Sequence, residues 1–221
     1  MRTAVIIPTL NEAQRIGKTL KELVSLGFEV IVVDDGSTDN TKEIVKEFPV
    51  YYAKHIINRG QGAALKTGTH LARELGFDAV AHFDADGQHR IEDLQSVIKV
   101  LEEKDYDIVL GSRFMDDKTD FPWQKKIILN LAKIFSKQVL QLSFTDPQSG
   151  LRAFKLKESA QLNWKKDDFQ HCTEILSLIL KNKLNYKEIP IIVNYNIIEG
   201  QKEVRPKISM GLKLIINKFF D

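Results

Sequence analysis

The stretch AVAHFDADGQH, residues 79–89, joins a run of apolar residues to two aspartates and a glycine. The apolar run Ala79–Phe83 predicts a buried strand, and Asp84 and Asp86 follow it directly. Side chains two apart in an extended chain point to the same side, with their Cα atoms about 7 Å apart. Charge at the end of a buried strand is costly unless it is compensated. The two carboxylates therefore predict a site for a divalent cation.

The predicted cation is Mg²⁺ or Mn²⁺. Both are hard cations that prefer oxygen ligands, and Mg²⁺ usually takes one or two protein carboxylates and completes its shell with water and substrate phosphates. A nucleotide diphosphate is therefore the expected ligand. The alternative is an ordinary turn in which Asp84 and Asp86 accept hydrogen bonds from backbone N–H groups, and the motif alone does not separate the two.

The composition is that of a globular protein, with 43% hydrophobic and 28% charged residues in a chain of 221. This length predicts a single domain, residues 1–221. No stretch reaches the roughly 20 apolar residues of a membrane-spanning helix, and the first apolar run is too short for a secretory signal. A single cysteine, Cys172, indicates a reducing compartment and predicts a cytoplasmic location. The net charge of +2 gives no support for nucleic-acid binding.

Strand and helix patterns alternate along the first half of the chain. Strands are predicted at 3–8, 29–34, 50–54, 78–84 and 107–112, and helices at 12–26, 41–48, 61–75 and 91–103. This alternation predicts an α/β fold, a Rossmann-like, mostly parallel sheet flanked by helices, whose ligands bind beyond the carboxyl ends of the strands. From Phe114 the alternation breaks. Residues 1–113 are therefore the predicted nucleotide-binding portion, and 114–221 the less regular portion that covers the site.

Polar residues also follow the second predicted strand. Asp39 and Thr41 suit the start of the next helix, but Asp35 has no such explanation. A carboxylate at this strand end can accept hydrogen bonds from a base or from ribose hydroxyls, so Asp35 is the predicted nucleoside contact. Glu12, after the first strand, is ambiguous, because the helix macrodipole favours an acid in a first helical turn without any ligand.

The segment Asn58–Ala64 combines glycines, an arginine and a helix start. Helix N-termini with free N–H groups favour anions, which makes Arg59 and Gly60 candidates for nucleotide binding. The alternative is that the small residues only allow close packing between helix and sheet.

Five motifs in order carry a resemblance to a known family. They are PTLNE (8–12), DDGSTD (34–39), DADGQH (84–89), GSR (111–113) and SGLR (149–152). Together, over about residues 3 to 195, they resemble the family 2 glycosyltransferases with a GT-A fold, and within that family the dolichyl- and polyprenyl-phosphate sugar transferases. The resemblance implies an inverting, metal-dependent hexosyltransferase with a UDP- or GDP-linked sugar as donor.

The resemblance also implies roles for individual residues. Asp84 and Asp86 would handle the metal and the diphosphate, with Gln88 close by. Arg113 and Arg152 would face the acceptor. The predicted nucleotide-binding residues are Pro8, Asn11, Glu12, Asp35, Arg59, Gly60, Asp84 and Asp86.

The acceptor is predicted from the chemistry that each class of acceptor needs. A sugar hydroxyl needs a general base, whereas a phosphate is already ionised and needs partial neutralisation by cationic side chains. Such cations are present in Arg113, Arg152 and a late basic cluster formed by Lys202, Arg205 and Lys207. Asp146, or the pair His171 and Glu174, is the candidate base if the acceptor is a hydroxyl; a simple hydrogen bond between His171 and Glu174 is the alternative for that pair.

Two late segments predict contact with a membrane. Read as helices, 121–144 and 208–220 place lysines opposite apolar side chains, as expected for peripheral binding at the inner face of an anionic membrane. Ordinary packing of both helices is the alternative. Some members of the resembling family carry C-terminal transmembrane helices, and none is predicted in this chain, so either peripheral docking or a membrane-protein partner is expected.

The sequence thus predicts transfer of a hexose to a polyprenyl phosphate at the cytoplasmic membrane face. Two alternatives remain: a glycosyltransferase that acts on a saccharide hydroxyl in surface polysaccharide assembly, and a non-catalytic regulator that binds nucleotide sugars. The intact acid pair argues against the regulator, because simple binding has less need of a metal at the leaving group.

Overall fold

The computed structural model describes residues 1–116 and 144–194. These ranges contain seven strands and five helices. In chain order they are β1 (Thr3–Thr9), α1 (Ile16–Ser25), β2 (Glu29–Asp34), α2 (Thr41–Val45), β3 (Tyr51–Lys54), α3 (Gln61–Glu74), β4 (Ala79–His82), α4 (Ile91–Glu103), β5 (Ile108–Ser112), β6 (Arg152–Lys155), α5 (His171–Lys181) and β7 (Tyr186–Pro190).

The seven strands form one mixed sheet in the order β3-β2-β1-β4-β6-β5-β7. Only β6 runs antiparallel to its neighbours β4 and β5, and every other pair is parallel. The mostly parallel α/β sheet predicted from the sequence is confirmed. The strand β6 was not predicted, because its four residues, Arg-Ala-Phe-Lys, show no apolar run.

The core lies on both faces of the sheet. Alternate residues of β1 point to opposite faces. Val5 and Ile7 pack in the layer that contains α1 and α4, and Ala4 and Ile6 pack in the layer that contains α3 and α5. Helix α3 approaches the sheet closely at Gly68, where a Cβ atom would meet side-chain atoms of Ile6. Gly68 lies outside the segment Asn58–Ala64, for which close helix–sheet packing was the alternative; Gly60 and Gly62 of that segment approach residues 166–168 instead.

Helix α1 begins at Ile16 rather than at the predicted residue 12. Asn11 has a left-handed φ of 55°, and the backbone N–H of Glu12 donates to Thr41 Oγ1 at 2.9 Å instead of entering a helix. Glu12 therefore precedes the helix, and the prediction that it occupies a first helical turn is wrong.

The segment after β7 returns to the carboxyl end of β4. His89 and Val193 form an antiparallel bridge, and the N–H of Asn194 donates to the carbonyl of Gln88 at 2.9 Å. Within the described ranges, no helix combines the length and the apolar character needed to cross a membrane. The predicted helices 121–144 and 208–220 and the basic cluster Lys202, Arg205 and Lys207 lie outside the described residues, except for Phe144.

Candidate active site

The polar motifs meet at one edge of the sheet. β1 pairs in parallel with both β2 and β4, so the residues that follow these three strands lie side by side. Pro8, within β1, pairs with Val33 and is half-buried. Asn11 joins two of the loops, because its N–H donates to Ser37 Oγ at 2.8 Å and its Oδ1 accepts from the N–H of Thr38 at 2.9 Å.

The carboxylate of Asp34 is fully buried and has several partners. It accepts hydrogen bonds from the N–H of Ser37 and from the hydroxyl of Tyr52, both at 2.7 Å, and Lys54 Nζ lies 3.4 Å away. Burial alone would raise the pKa of Asp34, but these donors and the lysine charge lower it below its ordinary value. Burial raises the pKa of Tyr52, and the bond to Asp34 raises it further. Asp34 therefore stabilises the loop that carries Asp35.

The carboxylate of Asp35 binds the start of α3. It accepts from the backbone N–H groups of Arg59 at 2.9 Å and Gly60 at 2.6 Å, and it lies 2.7 Å from Nδ1 of His55. The other ring nitrogen of His55 lies 2.9 Å from Thr67 Oγ1. A carboxylate offers about four lone-pair positions, so Asp35 keeps capacity for a ligand. Its contact with a nucleoside stays a prediction.

The N–H groups of this helix start are used within the protein. Those of Arg59 and Gly60 bind Asp35, and that of Ala63 donates to the carbonyl of Asp167 at 3.2 Å. The anion held by the first two of these groups is a carboxylate of the same chain, and the binding of a nucleotide at this helix start stays a prediction. The side chain of Arg59 is exposed, with one guanidinium nitrogen 3.4 Å from Asp167.

Asp84 lies directly after β4 and is held from three directions. Its Oδ1 accepts from Nε2 of Gln61 at 2.7 Å, and its Oδ2 lies 3.6 Å from Nε2 of His89. On the third side, a Cβ atom at Gly150 would lie only 2.8 Å from Oδ2. Burial alone would raise the pKa of Asp84, but His89 and the charge of Arg152 lower it below its ordinary value.

The pKa of Asp86 is shifted in the opposite direction to that of Asp84. Its Oδ1 accepts from the backbone N–H of Gln88 at 2.9 Å. Burial and the charge of Asp84 raise the pKa of Asp86 above its ordinary value. Burial also raises the pKa of Glu12, with a smaller contribution from Asp86, although Arg15 pairs with Glu12 at 2.6 Å. This edge of the sheet therefore holds negative charge that the described residues do not fully compensate.

The acid pair fits a hard divalent cation. Among the described residues, no group of three or more histidine, cysteine, aspartate or glutamate side chains could hold a metal. Two carboxylates are nevertheless the number that Mg²⁺ commonly takes from a protein. The buried Nδ1 of His89, whose other ring nitrogen lies near Asp84, and the buried Oγ of Ser149, the residue before Gly150, have no hydrogen-bond partner, which leaves polar capacity for bound water or substrate. The metal role predicted for the Gln88 side chain stays a prediction.

Arg113 and Asp146 form a buried ion pair. Nε and Nη2 of Arg113 lie 2.6 Å and 2.7 Å from the two carboxylate oxygens of Asp146, and the backbone N–H of Arg113 donates to the same carboxylate at 3.1 Å. The side chain of Asp146 is 1% exposed. Both were predicted site residues, and the structure brings them together in this fork, so that Asp146 orients Arg113.

Arg152 is buried beneath the acid pair rather than exposed at the surface. It is 1% exposed, it opens β6 opposite His82, and its guanidinium donates to the carbonyl of Ser149 at 2.9 Å and to Cys172 Sγ at 3.2 Å. Burial would raise the pKa of Cys172, but Arg152 and His171 lower it to about 7. The acceptor role of Arg152 stays a prediction. Cys172 is buried.

His171 and Glu174, the other candidate base, are each engaged elsewhere. His171 is 1% exposed, with Nδ1 2.7 Å from the carbonyl of Asp168. Glu174 accepts from the backbone N–H groups of Lys165 and Lys166 at 2.8–2.9 Å. Neither a base dyad nor the simple bond between these two side chains, the alternative given from the sequence, is formed.

Sequence reasoning missed three residues that shape the site, namely His55, Gln61 and Gly150. Gln61 lies inside the glycine-rich segment that was singled out, and Gly150 lies inside the SGLR motif, so both had a local signal. His55 had none. Its contact with Asp35 depends on the pairing of β2 with β3, which no local pattern displays.

Comparisons with known proteins agree with this geometry. The family described as Glycosyl transferase family 2 matches residues 4–184. A UDP-N-acetylglucosamine–dolichyl-phosphate N-acetylglucosaminyltransferase of Methanococcus voltae is 37% identical over 216 residues, covering 86% of this chain and 85% of the relative. A polyprenol monophosphomannose synthase of Mycolicibacterium smegmatis is 27% identical, covering 86% and 76%.

Solved structures share the fold. Glucosyl-3-phosphoglycerate synthase from Mycobacterium tuberculosis, crystallised with Mn²⁺, UDP and glucosyl-3-phosphoglycerate, superposes with a TM-score of 0.75 at 16% identity, covering 99% of this chain and 79% of that chain. The fold and the acidic strand ends define a GT-A type glycosyltransferase. The chain belongs to glycosyl transferase family 2.

Proposed function

We propose that the protein transfers a hexose from a UDP- or GDP-linked sugar to a polyprenyl phosphate, with inversion at the anomeric carbon. The observation that supports this most directly is the acid pair after β4, where the charge of Asp84 and burial raise the pKa of Asp86. A divalent cation would relieve this repulsion and would also attract a diphosphate. The dolichyl-phosphate and polyprenol relatives support a lipid phosphate as the acceptor.

Metal dependence is part of the proposal. Asp84 and Asp86 would hold Mg²⁺ or Mn²⁺, with Gln88 nearby, and the Mn²⁺ complex of the synthase with the same fold supports this choice. When bound, such a cation neutralises negative charge on a departing diphosphate. In the donor site, Asp35 would orient the nucleoside, with Pro8, Asn11 and Glu12 lining its pocket and Arg59 and Gly60 beside it.

The hydrogen bonds that already occupy the candidate bases favour a phosphate acceptor over a sugar hydroxyl. Asp146 is saturated by Arg113, Glu174 by two backbone N–H groups, and His171 is buried against Asp168. A phosphate monoester needs no base, because its second pKa is near 6 and its oxygens are largely ionised at pH 7. Arg113, oriented by Asp146, and Arg152 would counter its charge.

The reaction is then one in-line displacement. A phosphate oxygen of the acceptor attacks the anomeric carbon, the bond from that carbon to the diphosphate oxygen breaks, and the nucleoside diphosphate leaves with the bond electrons. The protein contributes position and charge: it holds the donor at the strand ends and excludes water around the buried Arg113–Asp146 pair. No proton has to be removed from the nucleophile.

The location follows from the acceptor. We place the protein at the cytoplasmic face of the membrane, bound peripherally or through a membrane-protein partner, as one domain whose residues 114–221 face the acceptor. The basic segment 121–144 supports this placement by its lysine content. Replacing Lys126, Lys133 and Lys137 together with glutamate should weaken binding to anionic vesicles in a sedimentation assay. Unchanged binding would remove this segment from the membrane contact.

The function is tested by supplying donor and acceptor classes separately. The purified chain is incubated with Mn²⁺, a panel of UDP- and GDP-sugars and a short polyprenyl phosphate, and nucleoside diphosphate release is followed together with the formation of lipid-linked sugar. We expect release only with the lipid phosphate. Turnover with free glycans alone would support the saccharide-hydroxyl alternative, and tight donor binding without turnover on any acceptor would support the non-catalytic regulator.

A further inference from the structure

The start of α3 contacts the carboxylates of two neighbouring strand ends. The backbone N–H groups of Arg59 and Gly60 bind both oxygens of Asp35, and the side-chain amide of the next residue, Gln61, donates to Oδ1 of Asp84 at 2.7 Å. Three consecutive residues therefore connect the carboxylate predicted to bind the nucleoside with a carboxylate predicted to bind the metal. No other described hydrogen bond joins a side chain of α3 to Asp84.

This start of the helix is itself fixed by close packing. Gly60 has a φ of 107°, and a Cβ atom there would meet the carbonyl of Asp167. A Cβ atom at Gly62 would lie 2.5 Å from the carbonyl of Lys166, and the carbonyl of Gly62 accepts from Nε1 of the buried Trp164 at 2.9 Å. The first turn of α3 is therefore pressed against residues 164–168 and has little freedom to move.

We propose that residues 59–61 form a clamp that sets the position of both donor-site carboxylates, with Gln61 as a positioning residue for Asp84. The inference rests on the proposed function and deepens it. Carboxylates that bind a metal are commonly oriented by a donor from the surrounding protein, and loss of that donor typically costs 10- to 100-fold in metal affinity or activity. Gln61 holds Oδ1 in this way and leaves Oδ2 to the side of His89 and Gly150.

The choice of a side-chain donor also makes the clamp testable. The bonds to Asp35 come from the backbone of Arg59 and Gly60 and do not use the Gln61 side chain, whereas the bond to Asp84 depends on the amide of Gln61 alone. Gln61→Met keeps the length and helix propensity of the side chain and removes only the N–H donor. A matched control is Gln95→Met, because Gln95 is exposed on α4.

The experiment measures Mn²⁺ binding by electron paramagnetic resonance in the presence of whichever of UDP or GDP gives the stronger wild-type retention. We expect Gln61→Met to raise the Mn²⁺ dissociation constant about tenfold and to lower kcat more than it raises KM for the donor, with the melting temperature near that of wild type. Gln95→Met should match wild type in all three. Gln61→Ala gives the same test if Gln61→Met folds poorly.

The possible results separate the clamp from the metal site. Wild-type Mn²⁺ affinity and kcat in a folded Gln61 variant would overturn the clamp and leave the metal site in place. If wild-type protein itself holds no Mn²⁺ with either nucleotide, the metal in the proposed function fails, and the positioning role fails with it. A fall in melting temperature with unchanged Mn²⁺ affinity would assign Gln61 to stability alone and would also overturn the clamp.

Discussion

Two carboxylates at strand ends of the same sheet, Asp34 and Asp86, have pKa values shifted in opposite directions. Asp34, the last residue of β2, is fully buried, accepts two hydrogen bonds and pairs with Lys54, and its pKa is lowered. Asp86, after β4, accepts one bond from its own loop, and its pKa is raised by burial and by Asp84. The donors within reach, rather than the acid motif, account for this difference between Asp34 and Asp86.

The largest effect is expected where the negative charge is least compensated. Asp86→Asn removes one of the two predicted metal ligands and should lower turnover by a factor on the order of 10³, about 4 kcal/mol in the transition state. Nucleoside diphosphate release with Mn²⁺ measures the loss. Asp105→Asn, an exposed aspartate near the end of α4, is the control. Turnover within threefold of wild type would remove Asp86 from the metal site.

Substitution of Asp34, the acid at the end of β2, should lower the free energy of unfolding rather than act directly on the reaction. Asp34 is fully buried. Asp34→Asn weakens the hydrogen bonds from Ser37 and Tyr52 and removes the charge that pairs with Lys54. We expect a loss of about 2–3 kcal/mol in the free energy of unfolding, since buried donors lose a charged acceptor. Urea denaturation measures it. A stability equal to that of the exposed control Glu92→Gln would contradict the structural role given to Asp34.

Gly150→Ala tests the close approach of Gly150, in the segment before β6, to Asp84. The added Cβ would lie 2.8 Å from Oδ2 of Asp84 and must displace it. We expect about a tenfold fall in Mn²⁺-dependent turnover, or about 1.4 kcal/mol, with a nearly unchanged melting temperature. Gly17→Ala on α1 is the control, because its Cβ would contact only a methyl group of Ile44 at 3.2 Å. Equal turnover in both variants would show that Asp84 tolerates displacement.

The smallest expected effect concerns how stability depends on pH, for which Asp34 and Asp86 should contribute with opposite signs. The lowered pKa of Asp34 means that its stabilisation is present above the pKa of the unfolded chain and is lost as the pH falls through the folded value. The raised pKa of Asp86 has the opposite consequence. Asp86 favours the folded state at low pH, and this contribution is lost as the pH rises, because ionisation of Asp86 opposes folding. Metal-free Asp86→Asn should therefore melt slightly above wild type at pH 7, and the gap should close as the pH falls towards the ordinary aspartate pKa of 3.8. A lower melting temperature at pH 7 would contradict this sign.

The sequence was sufficient for strands β1 to β5, whereas β7, which pairs in parallel with β5, was not predicted. β1, β2 and β4 are nearly continuous apolar runs, so a local pattern was enough to predict them and the edge where their polar residues meet. The antiparallel β6 was missed because its stability comes from its two neighbours rather than from its own four residues. The late start of α1 was missed because side chains from the next strand end bind the backbone N–H groups of Glu12 and Ala13.

For the site, the residues with side chains at strand ends were foreseen, but their partners were not. Asp146 was predicted as a possible base, and the structure shows it in a buried fork with Arg113. Arg152 was predicted at the acceptor surface, and it is 1% exposed. In each case the sequence identified an ionisable residue, and the contact that decides its chemical state lies 20 to 33 positions away along the chain.

The sequence by itself indicated the family and placed the acids at the ends of strands. Both could be recognised because the spacing of apolar residues and the residues that end a strand are local features of the sequence. Tertiary structure alone decided which carboxylates are neutralised by donors and which retain their repulsion. That difference depends on distances of a few ångströms between segments far apart in sequence, since Coulomb and hydrogen-bond energies depend on separation in space and on burial. Local residue patterns do not contain information on those distances.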